Sequence, residues 1–234
     1  MRPLVVSVVA AAFFLPALPA FPAPPAPQRQ KSGLFAPLDL GLLETPDREQ
    51  WQKPDLIMDA LQIADGSVVA DLGAGGGWFT VRIARRIGPL GRVYAEDVQQ
   101  QMIELIKGAI QREQLRNVTT VLGTATDPRL PEPIDAALIV DSYREMELES
   151  AGTRREPVTL LKNIARALKP QGRLGVVDFL PGGGGPGPDP EERVDPKTII
   201  RACEAAGLQF IKREEVPPFE YLLIFGKATG GAAP

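Results

Sequence analysis

The chain has 234 residues, 44% hydrophobic and 24% charged, with a formal net charge of -3. That predicts one globular domain and lacks the basic footprint that binding a nucleic-acid backbone needs. It has no histidine and a single cysteine, Cys203, which excludes Ser-His and Cys-His nucleophilic chemistry and an internal disulfide, and leaves a poor ligand set for zinc, so no metal site is expected.

Met1-Arg2 supplies one positive charge, residues 4–15 are apolar, and small residues with prolines follow through Ala20 and Ala23. This order reads as a signal peptide over residues 1–23. Its apolar run is shorter than the ~20 residues a spanning helix needs. Export to the periplasm or beyond is expected, with membrane contact only through residues 4–15 if the segment is kept. Residues 24–44 read as a proline-rich linker, residues 45–228 as the folded domain, and residues 229–234 as a disordered tail.

Within the domain, Thr45-Pro46-Asp47 predicts a helix start, with Thr45 as cap and Pro46 at the first helical position. Pro54 restarts that helix, and Leu56, Ile57, Ala60 and Leu61 give it an apolar stripe. The chain then alternates. Residues 67–72 read as a strand buried on both faces, residues 73–77 as a loop, and residues 78–87 as a helix with Arg82, Arg85 and Arg86 on its polar face. Residues 92–96 are a second strand, and Met102, Ile103, Ile106, Ala109 and Ile110 line the next helix. Strands follow at 118–122 and 134–140. A stripe of Leu160, Leu161, Ile164, Ala165 and Leu168 is stopped by Pro170 and Gly172, and residues 174–179 are strand five. Residues 181–190 read as a flexible flap or crossing loop. Asp195-Pro196 opens a last helix, which Gly207 ends. Residues 208–211 and 221–225 are two strands whose short link makes them antiparallel. The expected fold class is α/β: a Rossmann-like, doubly wound, mostly parallel seven-stranded sheet with an antiparallel last strand. Cys203, inside the apolar pattern of Ile199, Ile200 and Ala206, reads as a core residue.

The chemistry concentrates in Val68-Val69-Ala70-Asp71-Leu72-Gly73-Ala74-Gly75-Gly76-Gly77-Trp78, a strand running through glycines into a helix. Glycines let the backbone approach a ligand, and the helix start offers amides and a partial positive charge. A dinucleotide site wants a small residue at the sixth position of the loop, where Trp78 stands. Asp71, two residues before the first glycine, has the wrong sign for a pyrophosphate and suits a ligand carrying an ammonium and a sulfonium. Asp97 ends the second strand 20 residues after Gly77, where a carboxylate grips ribose hydroxyls in doubly wound folds.

Asp71-Leu-Gly-Ala-Gly-Gly-Gly followed by Arg92-Val-Tyr-Ala-Glu-Asp97 resembles a class I S-adenosylmethionine-dependent methyltransferase, over about Trp51 to Phe225. The likeness includes Asn117-Val118, the Leu168-Lys-Pro-Gln-Gly-Arg-Leu stretch and the closing strand pair. It extends to a bacterial, often exported group with Tyr-His-Glu after strand four. The resemblance implies that Gly73, Ala74 and Gly75 border the methionine part and ribose of S-adenosylmethionine, that Asp71 acts on the ammonium directly or through water, and that Asp97 takes the ribose with Val98 against the adenine. It implies an adenine edge at residues 123–127, including Ala125 and Asp127, and places Asp141 at the ligand-binding edge. It is departed from at Tyr143-Arg144-Glu145 and at Pro190-Glu191-Glu192-Arg193, where histidines are expected.

The reaction implied is an in-line displacement at the methyl of S-adenosylmethionine, toward a small-molecule or protein acceptor that the sequence does not specify. A neutral soft nucleophile needs only alignment. An alcohol or phenol needs a base, for which Asp141 and Tyr143 are the candidates. Arg144 is expected to pair with Glu145 or Glu147, or to hold a substrate carboxylate. The alternatives are a non-catalytic binder of S-adenosylmethionine or S-adenosylhomocysteine, a nicotinamide dehydrogenase, and an interaction protein that kept the fold and lost the ligand.

Overall fold

The computed structural model describes residue 41 and residues 45–131, 133–150 and 153–228. The expectations for the signal peptide, most of the linker and the tail lie outside those residues.

The chain alternates as expected through β1 (Val68–Leu72), α3 (Trp78–Ile87), β2 (Arg92–Asp97), α4 (Gln100–Arg112), β3 (Val118–Leu122) and β4 (Ile134–Val140), after two short helices, α1 (Arg48–Gln52) and α2 (Pro54–Ala60). A one-turn α5 (Tyr143–Met146), a ribbon of β5 (Leu148–Ser150) and β6 (Thr153–Arg155), α6 (Val158–Ala167), β7 (Leu168–Phe179), α7 (Pro196–Ala205), β8 (Leu208–Val216) and β9 (Glu220–Lys227) complete it. The main sheet has seven strands in the order β3-β2-β1-β4-β7-β9-β8. The first five are parallel, and β9 runs antiparallel between β7 and β8. The order reverses direction beside β1, the switch point at which doubly wound sheets bind ligands.

Neighbouring residues of one strand feed opposite cores. Ala70 and Leu72 pack with Leu161 and Ile164 of α6 and with Ile199 and Cys203 of α7. Val69 packs with Ile83 and Ile87 of α3 and with Ile57 of α2. This is why the central strands read as unbroken apolar runs. Each fully buried Val, Ile or Leu side chain contributes about 1.5–3 kcal/mol, so the sheet under the strand ends is a firm platform.

The departures from expectation have local causes. Helix α1 begins at Arg48, not Pro46: residues 45–47 form a turn in which Arg48 N–H donates to Thr45 O (3.0 Å), and no side chain caps the helix. Strand β7 starts six residues early, at Leu168, because Leu168 pairs with Ile134 across an irregularity that absorbs Pro170 and Gly172. Strand β8 runs on through Lys212-Arg213-Glu214-Glu215, charges that suit a sheet edge and hide the strand from a hydrophobic pattern. The glycine-rich segment after β7 is pinned and not a free flap. The Arg193 guanidinium donates to the carbonyls of Pro188 (3.0 Å), Leu180 (2.9 Å) and Gly184 (2.7 Å) and lies over the Phe179 ring. Among the described residues no helix is long and apolar enough to cross a membrane.

Candidate functional site

Strands β1 and β2 end side by side, with Asp71 paired in register to Ala95 and Leu72 to Glu96. The glycine loop turns between them at positive φ at Gly73, Gly75 and Gly77. Gly73 is required twice over. Its φ is +67°, and a Cβ there would come within 2.7 Å of Ser142 Oγ at the end of β4. Ser142 in turn donates to Leu72 O (3.3 Å), which ties the tip of β4 to the loop.

Two successive acids of β2 hold the loop from opposite faces of the sheet. Asp97 accepts from Gly75 N–H (3.1 Å) and Gln99 N–H (2.9 Å). Glu96 accepts from Gly73 N–H (3.4 Å), and its backbone carbonyl accepts from Ala74 N–H (2.9 Å). Three loop amides, those of Gly73, Ala74 and Gly75, are therefore engaged by the chain itself. The corner instead presents carboxyl groups, as a cationic ligand requires.

Asp71 is buried, and Thr80 of α3 donates to its Oδ2 (2.6 Å). It thereby anchors the start of a helix whose own N-cap is a glycine without a side-chain cap. Burial raises the Asp71 carboxyl to about 6, against the Thr80 hydrogen bond and the Arg48 charge. Burial and the neighbouring Asp97 raise Glu96 to about 8. Burial also moves Asp97 upward, against the donors Gln99 and Gly75. Each carboxylate oxygen carries a further lone pair, so Asp97 can still accept a diol beside its two amides. Val98, the next residue, is 38% exposed and offers an apolar wall there.

Beyond β4 lies a second group of acids. Asp141 (φ +54°) follows β4, Asp178 is near the end of β7 and Glu220 opens β9. Arg48 Nη2 stands 3.6 Å from Asp141, Arg48 Nε donates to Gln52 Oε1 (2.8 Å), and Gln52 Nε2 reaches both Glu220 oxygens (2.7 and 2.8 Å). The Arg48 guanidinium also lies over the Trp78 ring, 4.4 Å from its centroid, so α1 bridges the cofactor-loop helix and this acid floor. Burial raises Asp141, Asp178 and Glu220, and Asp141 and Glu220 face each other, so the two cannot both ionise beside one arginine. Nothing in the spacing of residues 48, 52, 178 and 220 signals that they meet.

The remaining predicted residues are placed as follows. Ala125 and Asp127 are exposed in a turn closed on itself, in which Asp127 N–H donates to Thr124 Oγ1 (3.0 Å) and Asp127 accepts from Arg129 N–H (2.8 Å). Tyr143 is fully buried in the core under α6 and α7, its hydroxyl has no hydrogen-bond partner among the described residues, and burial pushes its ionisation upward. A phenol so placed resists the charged form that a base needs. Arg144 reaches across to the segment before α7. It grips Glu192 through two contacts of 2.8 and 3.2 Å, which joins the two segments in which histidines were expected. A surface depression of about 550 Å³ between α4 and β3, lined in part by Lys107, Ile110 and Arg116, shares no residue with the glycine corner.

Residues 69–172 match the family model described as Methyltransferase domain. Over 128 residues the chain is 31% identical to the ubiquinone/menaquinone biosynthesis C-methyltransferase of Pasteurella multocida, a match over 52% of this chain and 43% of that one. It is 27% identical over 119 residues to the demethylmenaquinone methyltransferase of Geobacillus, over 50% and 47%. The chain thus matches less than half the length of these two relatives. A crystal structure of an S-adenosylmethionine-dependent methyltransferase from Aquifex aeolicus has the same fold, with TM-score 0.73, 24% identity, and coverage of 82% of this chain and 98% of the other. The matches are to methyltransferases, and S-adenosylmethionine is the cofactor that the likeness implies. The corner fits that group: a loop closed to any Cβ at Gly73, and carboxyls of Asp71 and Asp97 where a cationic adenosyl ligand would lie.

Proposed function

We propose that the chain transfers a methyl group from S-adenosylmethionine to an electron-rich small molecule, with an activated ring carbon of the quinol kind as the first acceptor to try. The observation that carries the reading is the convergence of Asp71, Gly73 and Asp97 on one corner within residues that match a methyltransferase domain. The quinol is suggested by the names of the relatives, both of them quinone-pathway methyltransferases.

The cofactor supplies an activated methyl: its carbon–sulfur bond breaks as the new bond forms, and the electron pair stays on sulfur. The chain supplies alignment. Asp97 would hold the ribose hydroxyls and Val98 the adenine, while Asp71 would balance the ammonium. Ser142 and Asp141 stand at the tip of β4, on the side where an acceptor would approach. Asp141, a carboxyl raised by burial beside Arg48, is the candidate to take the acceptor's proton, whereas the Tyr143 ring belongs to the core. Positioning of this kind is worth roughly 7–11 kcal/mol of barrier.

Calorimetry of the protein with S-adenosylmethionine, S-adenosylhomocysteine and NAD tests the cofactor. Binding of the first two and not of NAD is expected, and Asp97→Ala should weaken both by about 1.5–3 kcal/mol, the size of a lost charge-assisted hydrogen bond. Unchanged affinity in that variant refutes the ribose assignment. Transfer of labelled methyl to demethylmenaquinol tests the acceptor, and tight binding with no transfer to any extract would make the protein a sensor. Export through residues 1–23 is part of the same proposal, and an N-terminal sequence of the mature protein that begins at Met1 would overturn it.

A further inference from the structure

Glu96 is the one acid of the corner that neither the ribose nor the ammonium accounts for. Strand alternation sets it on the face opposite Ala95 and Asp97, since Ala95 packs under Ile103 and Ile106 of α4 while Tyr94 belongs to the core beneath α6 and α7. It is 4% exposed, its Oε2 takes the Gly73 N–H, and its side chain lies so close against Gly123 that any Cβ there would overlap it. The acids acting on it are Asp97 beside it on β2, Asp71 from β1 and Asp127 from the turn after β3, and it lies against the backbone of Gly73 and Gly123, while Arg129 of that turn donates to Leu122 O. Among the described residues no lysine or arginine forms an ion pair with Glu96 or Asp97. Arg48 approaches Asp71 from the other side of the loop.

Resting on the methyltransferase reading, the adenosyl end of the ligand lies at Asp97 and its amino-acid end near Asp71. The sulfur joins the two ends, so it crosses above Gly73, the residue whose amide Glu96 holds. We propose that Glu96 is the residue by which the corner tells the charged cofactor from its spent product. S-adenosylmethionine brings a sulfonium to an acid that has no other cation. S-adenosylhomocysteine brings a neutral thioether and gives that acid nothing to pair with. Burial, with the like charges of Asp97, Asp71 and Asp127, raises Glu96 to about 8 and keeps it protonated near neutrality when the site is empty. The sulfonium then favours the carboxylate, and cofactor binding expels the Glu96 proton to solvent. After methyl transfer the positive charge has left the sulfur. Glu96 recovers a proton from solvent, and the attraction that held the ligand is gone. The corner would thus bind substrate and release product with one titrating group, without moving the loop.

Calorimetry of the full chain in buffers of different ionisation enthalpy tests this on the wild-type protein alone. At pH 7, S-adenosylmethionine should release close to one proton more than S-adenosylhomocysteine does, and equal proton release refutes the proposal. The ratio of the two affinities should rise about tenfold in favour of the cofactor between pH 7 and pH 9, as free Glu96 goes from about one-tenth to about nine-tenths ionised across its value of about 8. Both ligands carry the same amino-acid end, so comparing Glu96→Gln with the wild type at each pH isolates Glu96. The near-isosteric Glu96→Gln should flatten the ratio while leaving S-adenosylhomocysteine affinity within about twofold. A variant ratio that still climbs overturns the proposal and leaves the methyltransferase reading standing. Failure of the wild-type protein to bind either ligand would remove that reading itself.

Discussion

The glycine corner and the acid floor beyond β4 both bury carboxyl groups at strand ends, and they satisfy them by different means. In the corner the partners are close in sequence: Glu96 and Asp97 take backbone amides of Gly73, Gly75 and Gln99, at most 23 residues away, and Asp71 takes the Thr80 hydroxyl nine residues on. In the floor Glu220 is met from the far end of the fold: Gln52 reaches it across 168 residues. A loop amide survives every substitution but proline, so the corner is robust to most mutations of its neighbours. Asp141 and Glu220 draw on Arg48 and Gln52, both carried by a five-residue helix. On the proposed reading the first region would hold the cofactor, and the second, joined to it through Arg48 over Trp78, would face the acceptor.

Removing that arginine should break the comparison most. Arg48→Ala takes the cation from beside Asp141 and the donor from Gln52, and loss of one partner of a buried pair costs about 3–5 kcal/mol. Urea denaturation of the variant measures it, and a loss below about 1 kcal/mol would show that the floor acids are already neutral in the fold. Titration sharpens the same point. The carboxyls raised by burial, Asp71 to about 6 and Glu96 to about 8, give up their protons near pH 4 in the unfolded chain. Between those values the native state binds more protons than the unfolded one, so stability falls as pH rises. Denaturation midpoints should drop from pH 5 to pH 8 by at least about 1 kcal/mol in stability, and Glu96→Gln should reduce the slope between pH 6 and pH 8. A flat profile would mean that these groups ionise at ordinary values.

Gly73→Ala should have the smallest effect on folding, about 1–2 kcal/mol for a strained left-handed residue. Ser142 can rotate from the new methyl, but the methyl would then occupy the ligand's path. Cofactor affinity should therefore fall more than stability does. Equal losses, read by calorimetry and by thermal melting, would make Gly73 a folding residue alone.

The corner was legible because its chemistry is local. Asp71, three spaced glycines and Asp97 fall within one strand-loop-helix-strand unit, where secondary structure alone brings them together, and the spacing already argued against a dinucleotide. The same locality misled on the loop amides, since the pattern says where glycines turn but not that Glu96 and Asp97 engage three of them. Tyr143 looked catalytic because it follows a strand end by three residues. Only the packing of α6 and α7 over it shows that its ring belongs to the core.

Periodicity of apolar residues, the glycines and the strand-end acids determined by themselves the alternating α/β order, the parallel sheet with its reversed strand, and a corner suited to an adenosyl cation. Tertiary structure alone decided that Arg48 and Gln52 reach Asp141 and Glu220, that Arg144 grips Glu192, and that Arg193 fastens the glycine-rich segment. The physical reason is range. Backbone geometry repeats over a few residues and leaves its mark in the sequence, whereas side-chain ion pairs and hydrogen bonds are made wherever folding brings two distant groups within about 3 Å, and no spacing along the chain records that.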